Sequence, residues 1–174
     1  MKYILETERL MLRELQHGDA SFIIQLLNSP GWLQYIGDRN VHTKEDAIRY
    51  IDEGPRKSYR ENGFGLYVVE RKNNRIPIGI CGLLKRETLQ HPDIGFAFLP
   101  EFEGQGFAFE VAQAIMQHAK DHLKIANVCA ITRADNVKSI QLLEKLGLVY
   151  VRQIRLPPAH EELLLYSTDQ RTAQ

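Results

Sequence analysis

Apolar residues along the chain change their spacing several times, and each change marks an element. Leu10 and Leu12 alternate with Met11 and Arg13, the period of a half-buried strand, predicted over 10–14. Phe22, Ile23, Leu26 and Leu27 then recur at helical spacing behind Asp19, which stands where a helix cap belongs, and Asn28-Ser29-Pro30-Gly31 ends that helix. A second helix is expected from Thr43, with Asp46 three residues on and Ala47, Ile48 and Ile51 on one face. Gly54-Pro55 must interrupt or kink it, because proline lacks a donor and its ring crowds the preceding turn.

From Phe64 the pattern becomes that of strands. Residues 66–70 and 76–84 flank the polar turn Arg71-Lys72-Asn73-Asn74-Arg75 as in a hairpin, and a third strand runs from Asp93 to Leu99 and stops at Pro100. A glycine turn, Glu103-Gly104-Gln105-Gly106, leads into a helix whose apolar stripe is Phe107, Val111, Ile115, Ala119 and Leu123. Val128 to Thr132 reads as a strand, followed by a helix from Asn136 to Leu146 that ends at Gly147, a residue suited to the left-handed cap. Final strands are predicted over 148–155 and 162–166, joined through Pro157-Pro158. The expectation is one α+β domain over residues 1–174, with an antiparallel sheet first and a βαβ-like unit in the second half.

Composition narrows the function classes. The 22 Lys and Arg residues balance 22 Asp and Glu, and no basic stripe is present, so nucleic acid is not the expected ligand. Cys81 and Cys129 lie far apart in apolar runs, which predicts buried free thiols rather than a disulfide or a metal framework. His118 and His122 stand four apart on the long helix, but no third ligand accompanies them, and cations suit the end of a helix; no metal is expected. The N-terminus is charged too early for a signal peptide, and no apolar run reaches membrane-spanning length, so a cytoplasmic protein without membrane partners is expected.

The stretch from Asp93 to Glu110 carries the chemistry. A strand feeds a glycine turn that opens a helix, and the free N–H groups of a first helical turn suit a phosphate. The alternative is a loop that merely turns the chain. A Walker loop fails, because Phe109 and Glu110 stand where glycine and lysine are needed. A dinucleotide fingerprint fails as well, because Phe109 takes the place of the third glycine and the next strand ends in Thr132-Arg133. The segment 100–110 resembles motif A of the GNAT acetyltransferase superfamily, Gln/Arg-x-x-Gly-x-Gly/Ala, with Gly106 and Ala108 at its last two positions. Glu103 departs from the first position, where the branch resembling the ribosomal-protein N-terminal acetyltransferases often carries another residue. Residues 7–13 (TERLMLR), Ile78-Gly79, Ile94-Gly95-Phe96, Asp135-Asn136 with Ser139, and Glu144 to Leu148 extend the likeness along most of the chain.

The resemblance implies a mostly antiparallel sheet of about six to seven strands with one splayed parallel pair, here Asp93–Leu99 and Val128–Thr132. It implies acetyl-CoA as co-substrate, its pantetheine arm against the backbone of Phe96, Ala97, Phe98 and Leu99. The pyrophosphate falls on the amides of Gly104, Gln105, Gly106, Phe107, Ala108 and Phe109. Asn136 matches the family asparagine that bonds the cofactor, and a helix N-cap is its other reading; both can hold together. The tyrosine that many relatives use as acid is replaced by Leu143. Ser139 is the substitute acid, or else a serine satisfied by its own helix backbone. Asp93 is the candidate base, with Glu101 second and His91 as a relay through water; each also reads as a surface charge. Trp32 and Tyr35, expected between the first two helices, line the acceptor pocket or else pack locally. The acceptor is a small amine or a protein N-terminus, and the protein a monomer or homodimer. A catalytically silent acyl-CoA-binding module is the competing reading.

Overall fold

The computed structural model describes residues 1–173. Eight strands form one sheet in the order β1-β2-β3-β4-β5-β6-β8-β7. They are β1 (Tyr3–Glu6), β2 (Leu10–Arg13), β3 (Leu66–Arg71), β4 (Pro77–Leu84), β5 (Asp93–Phe98), β6 (Cys129–Thr132), β7 (Val149–Leu156) and β8 (Glu161–Ser167). All pairings are antiparallel except β5 with β6. The count exceeds the expected six to seven because β1 is a short edge strand with no fully buried position. Its four residues carry too little alternation to stand out.

Helices cover both faces. Helix α5 (Phe107–Asp121) packs on β4 and β5 and buries Phe107, Val111, Ala112, Ile115 and Ala119 against Tyr67, Val69 and Cys81. The expected stripe is therefore real, although Leu123 lies past the helix end and packs at the rim of that core. On the other face, α1 (Ala20–Leu27) and α3 (Lys44–Ile51) cover Val68 and Ile80. An extra residue in β4, Ile78, bulges between the partners of Val69 and Glu70. Ile78 and Ile80 consequently enter opposite cores, where plain alternation would put them together.

Local chemistry explains most boundaries. Thr43 caps α3 by accepting from the Asp46 N–H, while Asp46 accepts from the Thr43 N–H, a reciprocal box. Gly54-Pro55 does not stop this helix. Residues Asp52–Arg56 form a π-helical turn that leads into α4 (Lys57–Asn62). Widening the turn lets the chain pass a proline that lacks a donor. Asp19 precedes α1 but does not cap it with its side chain. Its carboxylate instead takes two bonds of 2.8 Å from Arg13 and one from the Gln16 N–H. Arg13 also donates to Glu70 at 2.6 Å, so one buried guanidinium serves two buried carboxylates. The first helix ends at Asn28 as expected, and Pro30 then opens a short helix that was not foreseen, α2 (Pro30–Tyr35), at a position proline favours. Trp32 and Tyr35 thus lie on a helix and not in a connection. Helix α6 (Val137–Lys145) ends as expected, with Gly147 at φ 91°.

Candidate active site

The parallel strands β5 and β6 share only the position Asp93↔Cys129 and then diverge. The Cys129 N–H donates to Pro92 O toward β6, whereas the Leu99 N–H donates to Ile78 O toward β4. Backbone groups alternate along a strand, so Phe96 and Phe98 direct theirs into the fork. Ala97 pairs with Ile80, and the Leu99 amide is used by β4; neither offers its N–H to the fork. Of the four residues that the resemblance implies, Phe96 and Phe98 turn their N–H groups into the fork. Gly79 lies beneath this stretch: a Cβ there would stand 2.5 Å from Ala97 O and 2.7 Å from the Phe98 ring.

Beyond β5, Pro100–Phe102 forms a 3-10 turn, and the chain then reverses through Gly104 at φ 72° and Gly106 at φ 80°. Both lie in the left-handed region that side chains resist. Gly106 is the N-cap residue of α5, so the first N–H groups of a 15-residue helix open beside the fork. The Gln105 side chain turns away and donates to Glu101 O.

A continuous cleft of about 1530 Å³ joins the turn, the fork and the helical layer on the far side. It is lined by Phe96, Phe98, Gly104, Gly106, Phe107 and Ala108, and by Phe109 and Ala97. Leu99 and Gln105 are not among its lining residues. Asn136 and Ser139 are. The Asn136 Oδ1 accepts from the Ser139 N–H at 3.3 Å, capping α6 and leaving the amide nitrogen without a protein partner among the described residues. The Ser139 hydroxyl makes no bond to its own helix among those residues, in contrast to the backbone-satisfied reading. Leu143, buried, lines the same wall.

Asp93 lies at the closed end of the fork, 2% exposed, with Arg86 Nε 3.1 Å from its Oδ1. Burial pushes its carboxyl up to about 6 even though Arg86 pulls the other way. Both residues line the cleft; Glu101 and His91 do not, and His91 is bonded to Asp169 at 3.1 Å. Burial and then the Asp93 charge push the Cys129 thiol up to about 12, and burial drives Cys81 higher still. Neither thiol is disposed to form a thiolate.

Trp32 and Tyr35 form part of the opposite wall, together with Tyr50 and the π-helical turn. Trp32 is 6% exposed, and its Nε1–H has no hydrogen-bond partner among the described residues. Arg133 spans this end: it donates to Gln34 O on α2 at 3.3 Å, to Asp135 at 3.0 Å, and pairs with Glu161 of β8 at 2.8 Å. Arg86 and Arg133 were not anticipated, because their partners are set by the fold and not by any local pattern. His118 and His122 stack with ring centroids 4.8 Å apart and do not line the cleft.

The sequence profile of the acetyltransferase (GNAT) domain matches residues 9–149. The chain belongs to the GNAT acetyltransferases. Within that family, an N-acetyltransferase of Bacillus subtilis, YoaA, is 30% identical over 145 residues, 83% of this chain and 81% of that protein. The spermidine N(1)-acetyltransferase of Vibrio cholerae is 24% identical over 143 residues, 81% of this chain and 79% of that one. Among solved structures, the RimL ribosomal L7/L12 alpha-N-protein acetyltransferase in complex with coenzyme A has the same fold, with TM-score 0.82. It is 18% identical, and the match covers 95% of this chain and 97% of that one. GNAT membership makes acetyl-CoA-dependent acetylation of amines the general reaction. No described helix is long and apolar enough to cross a membrane.

Proposed function

We propose that this protein transfers the acetyl group of acetyl-CoA to a primary amine by direct attack. One observation carries the reading: a strand fork and a left-handed glycine turn at a helix start open into the same cleft as a buried carboxylate of raised pKa. The residues fit the co-substrate. The free backbone edge of Phe96 and Phe98 suits the amides of a pantetheine arm, as a neighbouring strand would. The amides from Gly104 to Phe109 suit the diphosphate, and the Asn136 amide nitrogen is free to donate.

Acetyl-CoA supplies an activated acyl carbon and a thiol leaving group. An amine is mostly protonated at neutral pH and must lose a proton before it attacks. Asp93, ionised above pH 6, takes that proton. The Phe96 N–H, aimed into the fork and the nearer of the two to Asp93, donates to the acyl oxygen, which leaves the Phe98 edge to the arm. Ser139 Oγ holds its proton toward the sulfur, the role of the tyrosine that Leu143 replaces. The raised thiols of Cys81 and Cys129 favour direct attack over an acyl-cysteine route. Trp32 and Tyr35 form the acceptor wall. The named relatives include enzymes for a polyamine and for a protein N-terminus, so the acceptor is a small amine or a chain end.

Calorimetry with acetyl-CoA tests the reading, alongside Gly106→Trp, which forces a large side chain onto a residue at φ 80°. Micromolar binding that the variant abolishes supports it. No binding by the wild type overturns it. Leu143 and Glu103 favour a second reading, an acyl-CoA-binding module without turnover. Binding with no acetylation across a panel of amines and peptides would select that one.

A further inference from the structure

The turn joining β1 to β2 lies against the start of α5, about a hundred residues away in sequence. Thr7 Oγ1 donates to Glu110 Oε1 at 2.6 Å, and the Arg9 N–H donates to the same oxygen at 2.9 Å. Arg9 Nε donates to Glu110 Oε2 at 2.7 Å, and Nη1 donates to the carbonyl of Gln105 at 3.0 Å. The guanidinium rests over the Phe107 ring, 4.4 Å from its centroid. Partial burial pushes the Glu110 carboxyl up, but the donations from Thr7 and Arg9 outweigh it and hold the group below its ordinary value. None of these residues is among those assigned to chemistry above, apart from the loop that they grip.

We propose that Arg9 is a positioning residue for the diphosphate of acetyl-CoA, acting through the Gln105 carbonyl. A trans peptide sets its C=O and the following N–H in opposite directions. Arg9 draws the Gln105 oxygen toward the β1–β2 turn, and so the Gly106 N–H of that same peptide points away from it. Gly106 is the residue that opens α5. The bond thus fixes in advance the orientation of an amide that the proposed function gives to the diphosphate. Pairing with Arg9 also offsets the charge of Glu110, which stands in the first turn of the helix, where it would repel a second anion. Arg9 reaches Glu110 through Nε and the Gln105 carbonyl through Nη1, two donors set apart in one rigid plane, whereas an ammonium offers its donors from a single nitrogen on a flexible stem.

This inference rests on the acetyl-CoA reading, and the experiment separates the two. Acetyl-CoA binding is measured by calorimetry for the wild type, Arg9→Met, Arg9→Lys and Glu110→Gln. Turnover with S-acetylpantetheine, a donor lacking the diphosphate, is measured beside it. Arg9→Met is expected to weaken acetyl-CoA by about tenfold or more, through lost preorganisation. It should raise KM for acetyl-CoA with kcat at saturation little changed, and leave kcat/KM for S-acetylpantetheine within about twofold. Arg9→Lys should not restore binding. Glu110→Gln removes a negative charge near the diphosphate and keeps the carbonyl contact, so acetyl-CoA should bind it no more than about twofold weaker than the wild type; Arg9→Lys carries the test if Arg9→Met does not fold. Unchanged affinity in Arg9→Met, or in Arg9→Lys where Arg9→Met does not fold, equal losses for both donors, full rescue by lysine, or a loss in Glu110→Gln as large as in the Arg9 variant would each overturn the proposal. A wild type that does not bind acetyl-CoA at all would overturn the function reading instead.

Discussion

Asp93→Asn separates catalysis from stability, because the same buried charge enters both. A carboxyl displaced from about 3.9 in an unfolded chain to about 6 in the fold costs about 3 kcal/mol of stability once it is ionised in both states. The sign follows from the direction of displacement. A raised carboxyl keeps full stability below pH 4, loses it between pH 4 and 6 as only the unfolded chain ionises, and carries the whole penalty above pH 6. Asparagine cannot ionise, yet its amide oxygen still accepts from Arg86, whose side chain is 38% exposed and stays partly hydrated. Urea unfolding should therefore find Asp93→Asn more stable than the wild type by up to about 3 kcal/mol at pH 8, about half that at pH 5, and equal near pH 3.5. Steady-state kinetics should show the opposite sign. Turnover falls about a hundredfold or more for loss of a general base, and the acidic limb near pH 6 disappears from the kcat/KM profile. Acetyl-CoA affinity should barely move. A variant no more stable than the wild type at pH 8, or a gain independent of pH, would refute the buried-charge argument. Normal turnover would remove Asp93 as the base.

Two other substitutions probe the frame around the cleft. Arg13→Met should cost about 3–5 kcal/mol in urea unfolding, since it leaves the buried carboxylates of Asp19 and Glu70 without their shared cation; a loss under about 1 kcal/mol would count against that account. Trp32→Phe keeps an aromatic wall but removes a buried donor with no partner among the described residues. KM for the amine should rise about tenfold if that donor serves the acceptor, with KM for acetyl-CoA unchanged. An unaltered amine KM would assign Trp32 to packing alone.

Features governed by neighbours in sequence were legible from it. The Thr43–Asp46 box, the stripe on α5, the glycine turn and the Gly147 stop all rest on contacts within a few residues. The fork came from the family likeness, since a divergence of two strands leaves no periodic trace. What escaped was set at long range or balanced locally. The segment around Pro30 ends α1 as read, but the six-residue helix that Pro30 opens is too short to show a periodic stripe. Asp19 could cap α1, but a bidentate partner on β2 outcompeted that use. Nothing local marks the roles of Arg9 and Arg86, because their partners, Glu110 with Gln105 and Asp93, are assembled by the sheet.

The π-helical turn at Asp52–Arg56 changes the phase of everything that follows it in the same helical run. An α-helix turns about 100° per residue, so one residue absorbed in a widened turn rotates the next segment by roughly that angle. On α4 this offset decides which way Tyr59 faces. Its hydroxyl accepts from the Leu15 N–H and donates to the Leu66 carbonyl, fastening the helix to two separate strand ends. Its ring stacks on Tyr67 at 5.2 Å. In an unbroken helix of the same length, Tyr59 would point elsewhere on the cylinder and those strand ends would lose their common fastening. The dipeptide that reads as a break in the helix thus works as a rotation, and it sets the angle at which one wall of the cleft meets the sheet.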